Sequence, residues 1–211
     1  MLDLLFPSIC LGCRALVSGD DEVPLCSRCR PDHQPLAPTT ADRDGALLVY
    51  DGPARRALHR LKYHGDIAWA GPLGAALARA PHLRDDAGFD LIVPVPLHRS
   101  RLWGRGFNQS WLILRAAGRV HGRRLKRRLD ADVLDRHRRT TPQADLPASA
   151  RWANVEGAFR LRASARNRVC GRRILLVDDV ATTGATLRAA ASTLQQAGAT
   201  VVSLALMQAL P

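Results

Sequence analysis

The sequence predicts an α/β fold, with a mainly parallel sheet flanked by helices and a small amino-terminal module built on four cysteines. Three observations carry that expectation. Strand-like and helix-like segments alternate from residue 46 onward, which implies parallel strands joined by crossover helices. Ile174-Leu175-Leu176-Val177 is an unbroken apolar run, as expected of a strand covered on both faces. Cys10-Leu-Gly-Cys13 and Cys26-Ser-Arg-Cys29 form two knuckles separated by 12 residues. The expected organisation is residues 1–44 as cysteine module and linker, and residues 45–211 as the main domain.

Two thiolate pairs at this spacing can converge on one tetrahedral zinc ion. A segment of about 40 residues rarely holds a core without a metal or a cross-link. Structural zinc on Cys10, Cys13, Cys26 and Cys29 is therefore expected. Two disulfides or a redox pair are the alternatives; a reducing compartment disfavours the first, and the second lacks a βαβ context. Cys170 stands alone before the apolar run and reads as a small packing residue. The stretch from Pro31 to Gly45, with Pro35 and Pro38, reads as a linker.

Ala46 to Tyr50 reads as a strand. Pro53 suits the first turn of a helix, and Ala54, Ala57, Leu58 and Leu61 share one face of it. Lys62 lies on the basic remainder of that helix, and Gly65 ends it. A second helix is expected over 68–80. The strand Asp90 to Val93 should stop at Pro94, which cannot donate to a ladder. Asn108 is placed to cap a helix carrying Ile113, Ala116, Ala117 and Val120. A helix over Thr186 to Ala197 and a strand over 200–206 close the domain.

Residues 174–186, ILLVDDVATTGAT, deliver Asp178 and Asp179 at the carboxyl end of the buried strand. Ligands of open α/β sheets bind at such ends. Gly184 permits a tight turn. Backbone amides from Ala181 through Ala185 to Thr186, the hydroxyls of Thr182, Thr183 and Thr186, and a helix amino terminus together suit a phosphate dianion. The acids would repel a phosphate, so they fit ribose hydroxyls or a bound magnesium ion better. One loop could thus hold a ribose 5-phosphate.

The formal net charge is +12, from 31 basic and 19 acidic side chains. Residues 101–173 hold 19 basic and 5 acidic side chains, net +14. Such an excess points to phosphate-bearing partners, either nucleic acid or a polyphosphate metabolite. The plainer reading is an arginine bias that leaves a solvated face, since only Lys62 and Lys126 are lysines. Aromatic residues make up 5%, too few for an extensive base-stacking platform. No run of about 18 apolar residues is present, so no membrane insertion is expected. The opening residues carry Asp3 and no basic stretch, unlike a signal peptide. A cytoplasmic location is expected.

Residues 174–186 resemble the phosphoribosyl pyrophosphate (PRPP) motif of type I phosphoribosyltransferases. Further blocks extend the resemblance to the ComF/GntX group of competence-related proteins within that superfamily. They are the double C-x2-C, LKYHGD (61–66), VPVPLHRSRLWGRGFNQS (93–110) and RRTTPQADLPASARWANVEGAF (138–159). The resemblance implies the type I phosphoribosyltransferase fold and PRPP binding with magnesium. It places a pyrophosphate loop at Leu97, His98, Arg99 and Ser100, served also by Arg105 and Lys62. It makes 138–159 a mobile hood. Asp178, Asp179, Arg99 and Arg101 would then be catalytic: the acids hold the sugar diol and the arginines neutralise the leaving pyrophosphate. No residue pattern marks a general base or the acceptor. The resemblance also implies the alternative of a non-catalytic protein in DNA uptake and natural transformation. Such a protein would bind single-stranded DNA through the basic region 115–139, beside competence proteins that include a helicase-like ATPase.

Overall fold

The computed structural model describes residues 8–17, 25–32, 36, 40–141, 143 and 146–210. Around the first cysteine knuckle β1 (Ser8–Ile9) and β2 (Leu16–Val17) pair antiparallel. Six strands follow: β3 (Gly45–Val49), β4 (Leu91–Pro94), β5 (Leu134–Arg136), β6 (Phe159–Leu161), β7 (Arg173–Ala181) and β8 (Thr200–Gln208). The helices are α1 (Gly52–His64), α2 (Ala70–Ala78), α3 (Arg99–Arg105), α4 (Gln109–His121), α5 (Arg123–Arg128), α6 (Arg151–Val155), α7 (Arg166–Val169) and α8 (Ala185–Gln196). The main sheet is wholly parallel, in the order β3-β8-β7-β4.

The apolar run at 174–177 behaves as expected of a strand covered on both sides. Leu175 and Val177 belong to one core cluster, with residues of α1, α2 and α4. Ile174 and Leu176 belong to the other, with α8 and with Val133, Leu134, Val155 and Phe159 of the segments around β5 and β6. The alternation is the two-residue period of a pleated strand. The mainly parallel sheet flanked by helices is thus the architecture found.

Four local expectations change. Strand β7 continues to Ala181, so the acids lie inside a paired strand, with Asp178 opposite Ala205. The cause is β8, which runs alongside to Gln208 and supplies ladder partners. Strand β4 includes Pro94 instead of stopping before it; as an edge strand it tolerates a missing N–H. The helix expected over 68–80 is a short 3-10 turn, Ile67–Trp69, followed by α2. Cys170 is exposed, not packed. Within the linker, residues 33–35 and 37–39 lie outside the described residues, and so do Pro142, Ala144 and Asp145 of the hood.

The cysteine module does not sit apart. Cys10, Leu11, Leu25 and Cys29 are buried in one cluster with Ala54, Leu58, Leu61 and Leu73. Arg14 pairs with Asp66 at 3.5 Å, and Arg56 with Asp32 at 3.5 Å. A side chain on Gly12 would meet Cys29 Sγ at 2.6 Å and Pro53 of α1 at 3.0 Å, so only glycine fits this contact.

Candidate active site

A cavity of about 380 Å³ opens at the carboxyl ends of β4 and β7. Its walls come from α1 (Lys62, Tyr63), the segment after β4 (Val95, Pro96, Leu97), α3 (Arg101, Arg105), β5 (Arg136), and residues 178–182 and 184–187. The fold positions each group by ordinary means. Asn108 caps α4 by accepting from Trp111 N at 3.3 Å, and its amide donates to Val95 O at 2.9 Å. That pair of bonds ties the start of α4 to the end of β4. Of the first two residues of α4, Gln109 thereby lines the cavity and Ser110 is placed against Asp178.

The acids are the most constrained groups. Asp178 and Asp179 are 8% and 5% exposed. Asp178 Oδ1 accepts from Ser110 Oγ at 3.1 Å and from the Asp179 amide at 2.9 Å. Lys62 Nζ lies 2.7 Å from Asp179 Oδ2, with the lysine side chain 15% exposed. Burial, and then the neighbouring Asp179 charge, push Asp178 up to about 7 against the pull of Lys62. Burial opposes the Lys62 ammonium, but the Asp179 charge outweighs it and keeps the lysine protonated. Lys62 was expected at the pyrophosphate; here it neutralises Asp179.

The Thr/Gly turn follows at once. Gly184 sits in the left-handed region at φ 72° and caps the twelve-residue α8, a backbone state that favours glycine. The first amides of α8 precede its own hydrogen-bond ladder. Thr182, Gly184, Ala185 and Thr186 line the cavity with Ala181. The Thr183 hydroxyl is buried without a hydrogen-bond partner among the described residues, an open donor beside a helix amino terminus. Gln208 Nε2 donates to Thr182 O at 2.6 Å and Arg188 Nη1 to Thr183 O at 2.7 Å, which holds the turn in shape. These donors fit a phosphate.

The segment 97–105 divides. Leu97, Arg101 and Arg105 reach the cavity. Arg101 donates to Thr140 O at 2.6 Å. Arg105 bonds the Gln109 side chain and stacks over Tyr63 at 5.8 Å. Arg99 does not enter: it is exposed and stacks over Trp103 at 5.5 Å. Because α3 begins at Arg99, positions 99 and 101 are two residues apart on a helix and face different directions. His98 and Ser100 satisfy each other, His98 Nδ1 accepting from Ser100 N at 3.2 Å as the cap of α3; neither lines the cavity.

The hood expected at 138–159 arches from β5 to β6. Asn154 holds Thr141 by two bonds, 3.1 and 2.9 Å, and donates to Gln143 Oε1 at 3.0 Å. Gln143 in turn donates to Thr186 Oγ1 at 3.3 Å. This segment thereby touches the Thr/Gly turn directly. Tyr50, Tyr63, Ser110 and Arg136 were not singled out as site residues from the sequence. Ser110 follows the cap residue Asn108 by two, which is a usable signal. Arg136 has none, because it sits among the closely spaced arginines of the basic region 115–139.

The four cysteine Sγ atoms all lie within 4.8 Å of one another. Gly12 N and Cys26 N donate to Cys10 Sγ at 3.4 and 3.3 Å, as amides do around thiolate ligands. Burial disfavours the Cys10 thiolate, but amide donors led by Cys26 outweigh it and bring the thiol down to about 6. Burial, with the adjacent thiols, pushes Cys29 up to about 12. A divalent ion is what lets four clustered thiolates coexist. The donor set is positioned to bind a metal ion and fits structural zinc.

Two outcomes follow from this geometry. Chelation should lower the unfolding midpoint of the whole chain in one transition, by about 10 °C if the ion contributes several kcal/mol. Helical circular dichroism unchanged after chelation and heating would contradict the shared core. The folded chain keeps the Asp178 proton up to about 7, whereas the unfolded chain releases it near about 3.9. The folded state then binds more protons between those values, so stability falls as pH rises from about 4 to about 7 and levels off above. Asp178→Asn should match the wild-type midpoint near pH ~4 and exceed it near pH ~8; parallel pH profiles would show that Asp178 ionises normally.

No curated protein matches the chain in comparison. Residues 117–209, from α4 to the end of β8, match the family model for the phosphoribosyl transferase domain. The match covers the acids, the Thr/Gly turn and the hood, and leaves the cysteine module and α1 outside it. The chain thus combines a parallel sheet flanked by helices with an amino-terminal four-cysteine cluster, and its residues 117–209 are similar to the phosphoribosyl transferase domain.

Proposed function

We propose that the chain is a phosphoribosyltransferase of the ComF type, with residues 1–44 as a zinc module and 45–211 as the transferase domain. The observation that carries this reading is one cavity holding a buried acid pair, a Thr/Gly turn at a helix amino terminus, and arginines that hydrogen-bond to uncharged groups. PRPP would lie with its 5-phosphate on Ala181 to Thr186 and its diol against Asp178 and Asp179. Its pyrophosphate would face Leu97, Arg101 and Arg105. Arg–phosphate contacts are charge-assisted and strong.

In the reaction the bond from ribose C1 to the pyrophosphate oxygen breaks, and an acceptor atom bonds to C1. The chain's work is positioning and charge neutralisation. Arg101 and Arg105 would meet the charge that grows on the leaving oxygen. Asp178 and Asp179 would favour the positive charge that grows on the ring, with Lys62 available to exchange from Asp179 to a pyrophosphate oxygen. Gln143, already bonded to Thr186, would close the hood and exclude water. Magnesium has suitable oxygen donors in the two acids, and when bound it would neutralise the leaving pyrophosphate.

A second reading rests on a separate surface. Arg115, Arg119, Arg123, Lys126 and Arg127 are exposed on α4 and α5. Single-stranded DNA could track them, in the manner of DNA-uptake proteins that work beside a helicase-like ATPase.

Calorimetric titration of the zinc-loaded chain with PRPP and magnesium should show binding. Asp178→Asn/Asp179→Asn should weaken it by at least about 10-fold. No binding by the wild type overturns the transferase reading, and equal binding by both overturns the placement of the sugar. For DNA, engagement of about 4–6 phosphates predicts a log–log salt slope of about −3 to −4. A flat salt dependence would remove the second reading.

A further inference from the structure

We infer that Arg136 is the buried anchor for the pyrophosphate group, an inference that rests on the phosphoribosyl reading of this cavity. Its guanidinium lines the cavity, yet the residue is only 4% exposed. Arg136 Nη2 donates to Thr140 Oγ1 at 2.5 Å, and the group stacks over Phe159, its partner across β5 and β6, at 5.3 Å. Arg136 Nε has no hydrogen-bond partner, and no carboxylate pairs with Arg136, among the described residues. Asp178 attracts it across the cavity without forming an ion pair, and a buried cation that lacks a direct partner is costly and seldom retained unless a ligand supplies the anion. Burial, and then the charge of Arg101, bring Arg136 down to about 10 against the pull of Asp178, so it remains charged at neutral pH.

Position selects the anion. Arg136 forms a parallel bridge with His98, which puts it beside the Leu97 segment. Arg101 and Arg136 share one tether, Arg101 binding the Thr140 carbonyl and Arg136 its hydroxyl. Two guanidinium groups on one residue form a fork wide enough for a group carrying several negative oxygens. At 4% exposure, Arg136 cannot track a nucleic-acid backbone, so it leaves the basic surface of 115–139. A planar fork with an open Nε is suited to a bidentate contact that a lysine could not reproduce.

The test titrates the zinc-loaded full chain separately with inorganic pyrophosphate plus magnesium and with ribose 5-phosphate. Arg136→Met should weaken pyrophosphate binding by at least about 10-fold while leaving ribose 5-phosphate within about 2-fold. The ligand-free unfolding midpoint of Arg136→Met should stay level or rise, because a buried charge with no ion-pair partner has gone. Unchanged pyrophosphate affinity overturns the inference. So does equal loss of both ligands with a lowered midpoint, which marks a structural arginine. A wild type that binds neither ligand overturns the phosphoribosyl reading itself. If Arg136→Met does not fold, Arg136→Lys decides: pyrophosphate weakened by about 5-fold or more supports the anchor, and wild-type affinity rejects it.

Discussion

Two adjacent carboxylates at the end of a buried strand set the terms for the groups around them. Like charges this close cannot both be ionised in a low-dielectric cavity without compensation. The protein compensates asymmetrically. Asp179 receives a lysine, whereas Asp178 receives a hydroxyl and a backbone amide and retains its proton up to about 7. Helix α1 must therefore approach the end of β7 closely enough to deliver Lys62, and α4 must begin where Ser110 reaches Asp178.

That requirement links distant parts of the chain. The face of α1 opposite its basic residues packs Ala54, Ala57, Leu58 and Leu61 into the core that also holds Cys10, Leu11, Leu25 and Cys29. A metal on the four cysteines would thus brace the helix that carries Lys62. The cysteine module would then act on the cavity through packing, with no cysteine among the cavity's lining residues. The hood meets the same cavity from the other side, through Gln143 on Thr186 and Thr140 between two arginines.

Charge is distributed by the same logic. The cavity collects Lys62, Arg101, Arg105 and Arg136 against two acids, an imbalance suited to an anion that brings its own negative charges. The remaining exposed cations of α4 and α5 form a separate, solvated surface. The net charge of +12 therefore includes two distinct groups of cations, one partly or fully buried around the cavity and one exposed on α4 and α5.

By itself the sequence determined the α/β class, four strand positions, the cap at Asn108, the metal spacing of the cysteines and the acid–Thr/Gly turn. Each of these is local: strand periodicity, capping chemistry and a short loop are set by neighbours within a few residues. Only the tertiary structure decided which cation meets which anion. Lys62 reaches Asp179 across 117 positions. Arg99 is turned outward by the start of α3, and Arg136 is buried by the pairing of β5 with β6. In a stretch so rich in arginine, residue type carries no information about burial. The desolvation that separates a ligand anchor from a solvated charge exists only once the chain has packed.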